Sequence, residues 1–364
     1  MKILIDISHP AHVHLFRNLI QKLNDHGDKV IITARDKDLT FSLLDSFDLN
    51  YHTIGKTKSG IVGKLRGIFI FTKKIVSLIK KYDIDVVLSH SSIYAALAAR
   101  LSGCFSITLE DTGNKEQVYL YRPFTHLILS PENLKDNFGQ KHIHYPALHE
   151  SAYIIPGYFK PNSKVLTDLG LSPDEKFIII RFVSRKSSHD IGESSLSNLD
   201  KLKIVNQLSL HAKVFISSEE DLPDELQSFS FPLPFIRMHE AMAFASLLYG
   251  ESATMCSEAA FLGVPSILLD HQGRDYTDYL EDKYGLVKNF TQKNYNIDHS
   301  LNYAADLLIS NKKDYFQQQR KVFLKQHISL TDFLFWLIEN YPQSISQLKA
   351  DPSVFDPFYE LSPD

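Results

Sequence analysis

Two cysteines, one tryptophan and four methionines in 364 residues leave this chain poor in the side chains that staple or ligate. Cys104 and Cys256 stand in apolar surroundings, and two thiols cannot build a disulfide framework or a four-thiolate zinc site. A reducing cytosol is the simplest setting for them. No apolar run is long enough to span a bilayer, and the first residues read as a charged strand–helix unit rather than a signal peptide. No glycine-rich dinucleotide fingerprint follows the first strand. No Asp-x-Asp element stands at a strand end and no His/Cys cluster has zinc spacing, so no required metal or other cofactor is expected. Acidic residues are missing altogether between Leu49 and Tyr82, in a chain whose net charge is -4.

What is present begins at the first residues. Lys2 to Ile7 carry the apolar run of a buried strand. A tight polar segment follows, Ser8-His9-Pro10-Ala11-His12, and then Val13, Phe16, Leu19, Ile20 and Leu23 recur at helical spacing up to Gly27, a helix-ending residue. Val30, Ile31 and Ile32 give a second strand. In such a strand–helix–strand unit ligands lie beyond the carboxyl ends of the strands. His9 and His12 sit in that loop, with His14 one step into the helix. Two imidazoles there suggest proton transfer or recognition of a polar ligand, the alternative being surface or helix-entry residues.

The rhythm continues with a polar helix start near Asp36, a strand at Asp85–Ser89 and a small-residue helix at Tyr94–Ala99. Strands at Ser106–Leu109 and His126–Ser130 follow, the first running into Glu110-Asp111-Thr112-Gly113. Alternation of this kind predicts a doubly wound parallel sheet. Ile154 to Asn162, with two prolines and a glycine, break it as a linker. It restarts with strands at Lys176–Arg181, Lys213–Ile216 and Ser266–Leu269 and helices near 196–210 and at Ser257–Leu262. The expected organisation is an N-terminal Rossmann-like domain over 1–155, a C-terminal one over 163–330, and a cleft between them. Residues 331–364 form a helix and tail that pack back on the first domain.

The second chemical signal is Gly250-Glu251-Ser252-Ala253-Thr254-Met255-Cys256-Ser257-Glu258. A small polar loop runs into a helix whose N-terminal amides suit phosphate oxygens. Glu258 suits two ribose hydroxyls. The alternative is Ser257 as helix cap and Glu258 as complement to the helix dipole. The acid-free stretch carries Lys56, Lys58, Lys64, Arg66, Lys73, Lys74, Lys80 and Lys81 among apolar residues. It predicts either contact of residues 56–81 with an anionic bilayer or glycan, or a core helix with a solvated lysine face. A nucleic-acid partner is not expected, since no stacking-aromatic motif accompanies the charge.

Ile5-Asp6-Ile7-Ser8-His9-Pro10-Ala11-His12-Val13 and Thr33-Ala34-Arg35-Asp36 resemble the domain-of-unknown-function 354 family over roughly residues 1 to 340. That family is placed beside the non-hydrolysing UDP-N-acetylglucosamine 2-epimerases and the transferase that makes lipid II. Together with Ser-Glu-Ala-Ala-x-Leu-Gly-x-Pro near residue 260, the two halves look like a GT-B enzyme. The resemblance implies a UDP-sugar substrate held mainly by the C-terminal half. Glu258 would bind ribose, Ser252, Thr254 and Ser257 the diphosphate, and Arg181 and Arg185 would add charge-assisted contacts.

Ser89-His90-Ser91-Ser92 lies where those epimerases have Gly-Asp-Thr. Glu110 matches a glutamate they keep, and Ser184-Arg185 replaces their His-Arg pair. Epimerisation by elimination needs an acid and a base around the ring, so the expected activity is a metal-independent glycosyltransferase. A 2-epimerase or a non-catalytic sugar-nucleotide binder is the alternative. His12 and Asp111 are the candidate bases, His9 positions the sugar or its phosphate, and Glu110 would matter if the enzyme epimerises. The acceptor would be a glycan or lipid-linked molecule in polysaccharide assembly, met in the cytoplasm or at the inner face of the membrane.

Overall fold

The computed structural model describes residues 1–37, 39–56, 61–184, 196–310 and 312–359, the side chains of 61–65 and 293 excepted. The chain forms two compact units. One comprises Met1–Tyr158 and the described residues from Gln326 onward, the other Phe159–Lys325.

The first unit is built on seven strands: β1 (Lys2–Ile7), β2 (Lys29–Arg35), β3 (Tyr51–Gly55), β4 (Val86–His90), β5 (Phe105–Leu109), β6 (Leu127–Pro131) and β7 (His142–Tyr145). All pair in parallel in the order β3-β2-β1-β4-β5-β6-β7. Ile5 of the central strand is registered with Ile32 on one side and Leu88 on the other. Ile3, Leu4, Ile5 and Ile7 are all fully buried, as an unbroken apolar strand must be when helices cover both faces of a parallel sheet. The helix Pro10–His26 leaves β1, and Gly27 ends it with φ +97°, its N–H donating to the carbonyl of Asn24. The chain then builds outward through β2 and β3 before restarting on the opposite side with β4. The switch point therefore lies between β1 and β4, where ligands collect in open α/β sheets.

The second unit repeats the plan with five parallel strands: β8 (Phe177–Phe182), β9 (Lys213–Ser218), β10 (Leu247–Gly250), β11 (Ser266–Asp270) and β12 (Val287–Thr291). Their order is β12-β11-β10-β8-β9, which puts the switch point between β8 and β10. Gly250 closes β10 at φ +144°, and a Cβ there would lie 2.1 Å from the carbonyl oxygen of Arg181. Only glycine allows that approach. No described helix is long and apolar enough to cross a membrane.

The helix Leu330–Glu339 belongs to the first unit. Thr331 Oγ1 donates to the Ala152 carbonyl and the Tyr158 hydroxyl to Asp332, both at 2.7 Å. Lys22 also pairs with Asp332, and Phe335 meets His26 edge-on. The units thus divide between Tyr158 and Phe159 and again between Lys325 and Gln326.

Two helix starts differ from expectation. The helix after β2 begins at Thr40 rather than near Asp36, and the late helix begins at Ala253, not Ser257. Strands β3, β7, β10 and β12 went unpredicted. Three are sheet edges, where His52, Thr53, His142 and His144 dilute the apolar run. β10 has only four residues.

Candidate active site and nucleotide pocket

In the first unit, polar side chains converge at the carboxyl ends of β1, β4 and β5. His9 is the N-cap of the helix Pro10–His26, its Nδ1 accepting from the Ala11 amide at 3.2 Å. His12 lies one turn on and is buried, its Nδ1 accepting from the Ser8 amide at 3.4 Å and lying 3.3 Å from the Ser8 hydroxyl. A backbone N–H can only donate, so both rings carry their lone pair on Nδ1. When neutral, each therefore offers Nε2–H as a donor. Burial and the neighbouring His90, His9 and Arg35 push the His12 pKa well below the ordinary histidine value, with Asp111 opposing. Neutral His12 is thus a hydrogen-bond donor, which disfavours the base role expected of it.

Asp111, just beyond β5, holds two histidines. His90 Nε2 lies 3.0 Å from Oδ1 and His149 Nδ1 3.1 Å from Oδ2. His90 is the last residue of β4, and His149 opens the 3-10 turn His149–Ala152 after β7. Burial works against ionisation of Asp111, yet His149 and His90 hold its pKa well below the usual carboxylate range. His90 is the reciprocal case: burial lowers it, but the charge and hydrogen bond of Asp111 leave its pKa raised. The His12 and His90 rings approach to 4.5 Å between centroids.

With Asp111 ionised, His149 donates from Nδ1, and the neutral ring in that tautomer carries its lone pair on Nε2. That Nε2 is buried with no hydrogen-bond partner, as is the hydroxyl of Tyr145, whose ring stacks on His149. Unsatisfied buried polar atoms are uncommon and costly, and two neighbours sharing the condition mark a place where a polar ligand would be welcome. His90, Asp111 and His149 also offer three ligand atoms within 4.8 Å of one another. This two-histidine, one-carboxylate set could hold a divalent ion. Its members come from three separate segments, so no spacing in the sequence announced it.

Glu110 is placed otherwise. It is fully buried, and five donors occupy its carboxylate: the Thr112 and Gly113 amides and the Thr112 hydroxyl on Oε1, the Ser91 and Tyr121 hydroxyls on Oε2. Its role is to pin the loop after β5 to β4 and to the helix Lys115–Tyr121. Asp6 does similar work, accepting from Thr33 at 2.8 Å and Ser92 at 2.7 Å.

In the second unit a pocket of about 200 Å³ opens at the β8/β10 switch point. Val183, Ser184, Glu251, Ser252, Ala253, Thr254, Asp270, Arg274 and Tyr276 line it. Ser252, not Ser257, caps the helix Ala253–Leu262, its hydroxyl accepting from the Met255 amide. The amides of Ala253 and Thr254 precede the first intrahelical bond, which leaves them able to receive an anion. Thr254 is exposed there. Ser257 is fully buried one turn further in, its hydroxyl without a partner, and takes no part in the pocket.

Glu258 is buried beside His239, with His239 Nε2 2.9 Å from its Oε1. Arg181 turns to the neighbouring strand, donating to Ser217 at 2.7 Å and Glu219 at 2.5 Å. Arg185 lies outside the described residues. Among the described residues the cation at the pocket is Arg274, near Asp270 at 3.9 Å and 44% exposed. Sequence reading passed over it because a lone Gly-Arg-Asp carries no motif.

Solved structures share this architecture. MnaA from S. aureus, determined with UDP, has a TM-score of 0.67 at 13% identity, covering 95% of this chain and 98% of that one. The UDP-GlcNAc 2-epimerase of Neisseria meningitidis bound to UDP-GlcNAc gives 0.66 at 14%, covering 93% and 100%. The spinosyn forosaminyltransferase SpnP gives 0.65 at 12%, covering 96% and 100%. At such identities the likeness shows the fold, which is GT-B. In sequence, an uncharacterised protein of Methanocaldococcus jannaschii is 24% identical over 320 residues, covering 84% of this chain and 91% of that protein. The protein of unknown function family DUF354 matches residues 1–341, and the chain belongs to it.

Proposed function

We propose that this protein is a glycosyltransferase that takes a UDP-activated sugar and passes it to a hydroxyl of a glycan or lipid-linked acceptor. The observation that carries the reading is the Asp111–His149 pair, in which an ionised carboxylate fixes Nδ1–H and leaves a buried, unpartnered Nε2. That is the arrangement of an oriented general base.

As the acceptor oxygen attacks the anomeric carbon, its proton passes to His149 Nε2, the bond from that carbon to the phosphate oxygen breaks, and UDP departs. Nε2–H groups of His9 and His12 are suited to sugar or phosphate oxygens. In the second unit the Ala253 and Thr254 amides and Arg274 suit the diphosphate, where preorganised donors stabilise the leaving charge. Glu258, steadied by His239, is the ribose candidate. The solved neighbours carrying UDP or UDP-GlcNAc support a uridine nucleotide.

The 2-epimerase reading is disfavoured by Glu110. The glutamate that resembles theirs spends its lone pairs on five internal donors and is poorly placed to exchange a proton with a sugar ring. Incubation with UDP-sugars, with and without candidate acceptors, tests the choice. UDP release that requires acceptor and yields a product heavier by one sugar is the expected result. Deuterium uptake at sugar C2 in heavy water without acceptor would replace it with epimerisation.

A further inference from the structure

One face of the helix Ile61–Tyr82 has no use inside the fold. Its inner face is spent on the core, where Phe71, Ile75 and Ile79 are buried against Ile54, Val87 and Ala98. Its outer face carries Arg66, Phe69, Ile70, Lys73, Ser77, Lys80 and Lys81, all exposed and recurring at three- and four-residue steps. Phe69 is 73% exposed, which is unusual for an aromatic ring on a helix. None of Arg66, Lys73, Lys80 or Lys81 forms an ion pair among the described residues. Lys74 is tied to the Ile54 carbonyl and Lys56 approaches Asp36, while Lys58 and the Lys64 side chain lie outside the described residues. A chain of net charge -4 thus concentrates cations that have no ion-pair partner among the described residues around an exposed aromatic and an exposed aliphatic side chain, Lys81 alone of them lying over a ring, that of Tyr82.

We propose that this helix face docks the first unit on an anionic phospholipid surface, Phe69 and Ile70 entering the headgroup boundary while Arg66, Lys73, Lys80 and Lys81 pair with lipid phosphates. Charge decides between occupants. A second copy of the chain seated here through the same face would set cation against cation, because a two-fold interface is self-complementary. A bilayer of anionic lipid supplies the opposite sign and an apolar layer at the depth an inserted ring reaches.

The placement has a chemical consequence. In a parallel sheet the helix that follows a strand starts at the carboxyl edge. The Arg66–Lys73 half therefore lies toward the same edge of the sheet as His12, His90 and Asp111. An acceptor carried by a lipid would present its headgroup to that edge without leaving the bilayer. This last step rests on the transferase reading, while the docking itself does not.

Sedimentation of the full chain with phosphatidylcholine vesicles, with and without phosphatidylglycerol, tests the docking. Wild type should pellet with the anionic vesicles only, and rising salt should release it. Each Lys or Arg changed to Gln should weaken partitioning roughly fivefold, and Phe69→Ser by about tenfold or more. These side chains are exposed, so the variants should melt as wild type does and bind UDP equally. Wild type left in the supernatant with anionic vesicles at physiological salt overturns the proposal. So does unchanged partitioning of Phe69→Ser, or a wild-type dimer that Phe69→Ser converts to monomer. None of these assays contains a sugar donor, so failure of the transferase reading would leave them untouched.

Discussion

The two units solve the same topological problem with different materials. At the β1/β4 switch point the chain places titratable side chains: His9, His12, His90, Asp111 and His149. Among the described residues lining the β8/β10 switch point there is no histidine: backbone amides, the hydroxyls of Ser184, Ser252 and Thr254, and Arg274 stand beside the carboxylates of Glu251 and Asp270. Imidazoles and a carboxylate can exchange protons, whereas a capped helix end presents fixed partial charges that stabilise an anion without reorganising. A shared strand plan therefore does not imply a shared task. On the proposed reading the first unit supplies the chemistry and the second the recognition.

If that division is right, the largest effects come from the first unit and appear in turnover. His149→Gln keeps the polar surface but loses the basic nitrogen, and Asp111→Asn removes the group that orients it. Each should lower kcat on the order of 10²–10⁴-fold with little change in KM for donor. Equal losses in the single and double variants would show that the pair acts as a unit. A rise in KM alone would move the base elsewhere and make His149 structural.

The second unit should respond in binding. Glu258→Ala and Arg274→Ala should each weaken UDP by roughly 1.5–3 kcal/mol, the range for hydrogen bonds to charged groups. Titration calorimetry reads this directly. Glu258→Ala also removes the carboxylate beside His239, so Glu258→Gln is the cleaner comparison. Arg181→Ala should leave UDP affinity close to wild type because its guanidinium already serves Ser217 and Glu219.

Glu110→Gln sharpens the contrast between a group that reacts and a group that holds. The amide would turn an NH2 toward hydroxyl or amide donors, at a cost of about 1–3 kcal/mol in stability. The melting temperature should fall while kcat of the folded fraction stays near wild type. Loss of turnover with an unchanged melting temperature would restore Glu110 as a reacting group.

The acid limb of stability is a subtler test. Folding depresses the pKa of buried His12, so the unfolded chain binds a proton that the folded chain refuses. Stability on this account is lost as pH falls below about 6.5, the unfolded value. His142, pushed down to about 4 chiefly by burial, adds loss between pH 6.5 and 4. His90, whose pKa is raised, acts in the opposite sense and stabilises at low pH. Chemical denaturation from pH 7 to 4 should therefore show a flatter decline in His142→Gln than in wild type. A parallel curve would mean that His142 is not held neutral.

The smallest expected effect is from chelation. If His90, Asp111 and His149 work as a proton network, dialysis against a strong chelator should leave turnover unchanged. Activity lost on dialysis and recovered with added divalent ion would reassign them as ligands.

Much of this was legible in the chain. The apolar runs at β1, β4, β5 and β8 and the helix-ending Gly27 announced alternating strands and helices, because buried strands and helix ends constrain residue type locally. The loop His9–His12 and the stretch Glu251–Thr254 were legible for the same reason. His149 and Arg274 were not. His149 acquires its partners through the sheet order, which brings β4, β5 and the segment after β7 to one edge, and no periodicity encodes that; Arg274 meets Asp270 locally but stands in no motif. Arg181 looked like a phosphate ligand because a basic residue at a strand end reads that way. Glu219, thirty-eight residues on, is invisible to that logic. Ser257 as a cap failed differently: the Ser-Glu pair reads as a helix start, but Ser252 already caps the helix and Met255 and Cys256 are buried within it.

The return of helix Leu330–Glu339 to the first unit bears on how the protein is made. The first unit is interrupted in sequence by the whole of the second, so it stays incomplete while residues 159–325 are being synthesised. During that interval the helix Pro10–His26 lacks its Asp332 partner for Lys22, and the Ala152 carbonyl lacks the Thr331 hydroxyl. The first unit has all seven strands by Tyr145 but lacks its segment from Gln326 onward, whereas the second, continuous from Phe159 to Lys325, has all of its described elements as soon as it emerges. Maturation on the ribosome should therefore run in the reverse of chain order, with the second unit complete before the first. A nascent chain stalled before Gln326 should resist protease in its second half and remain open to it in its first.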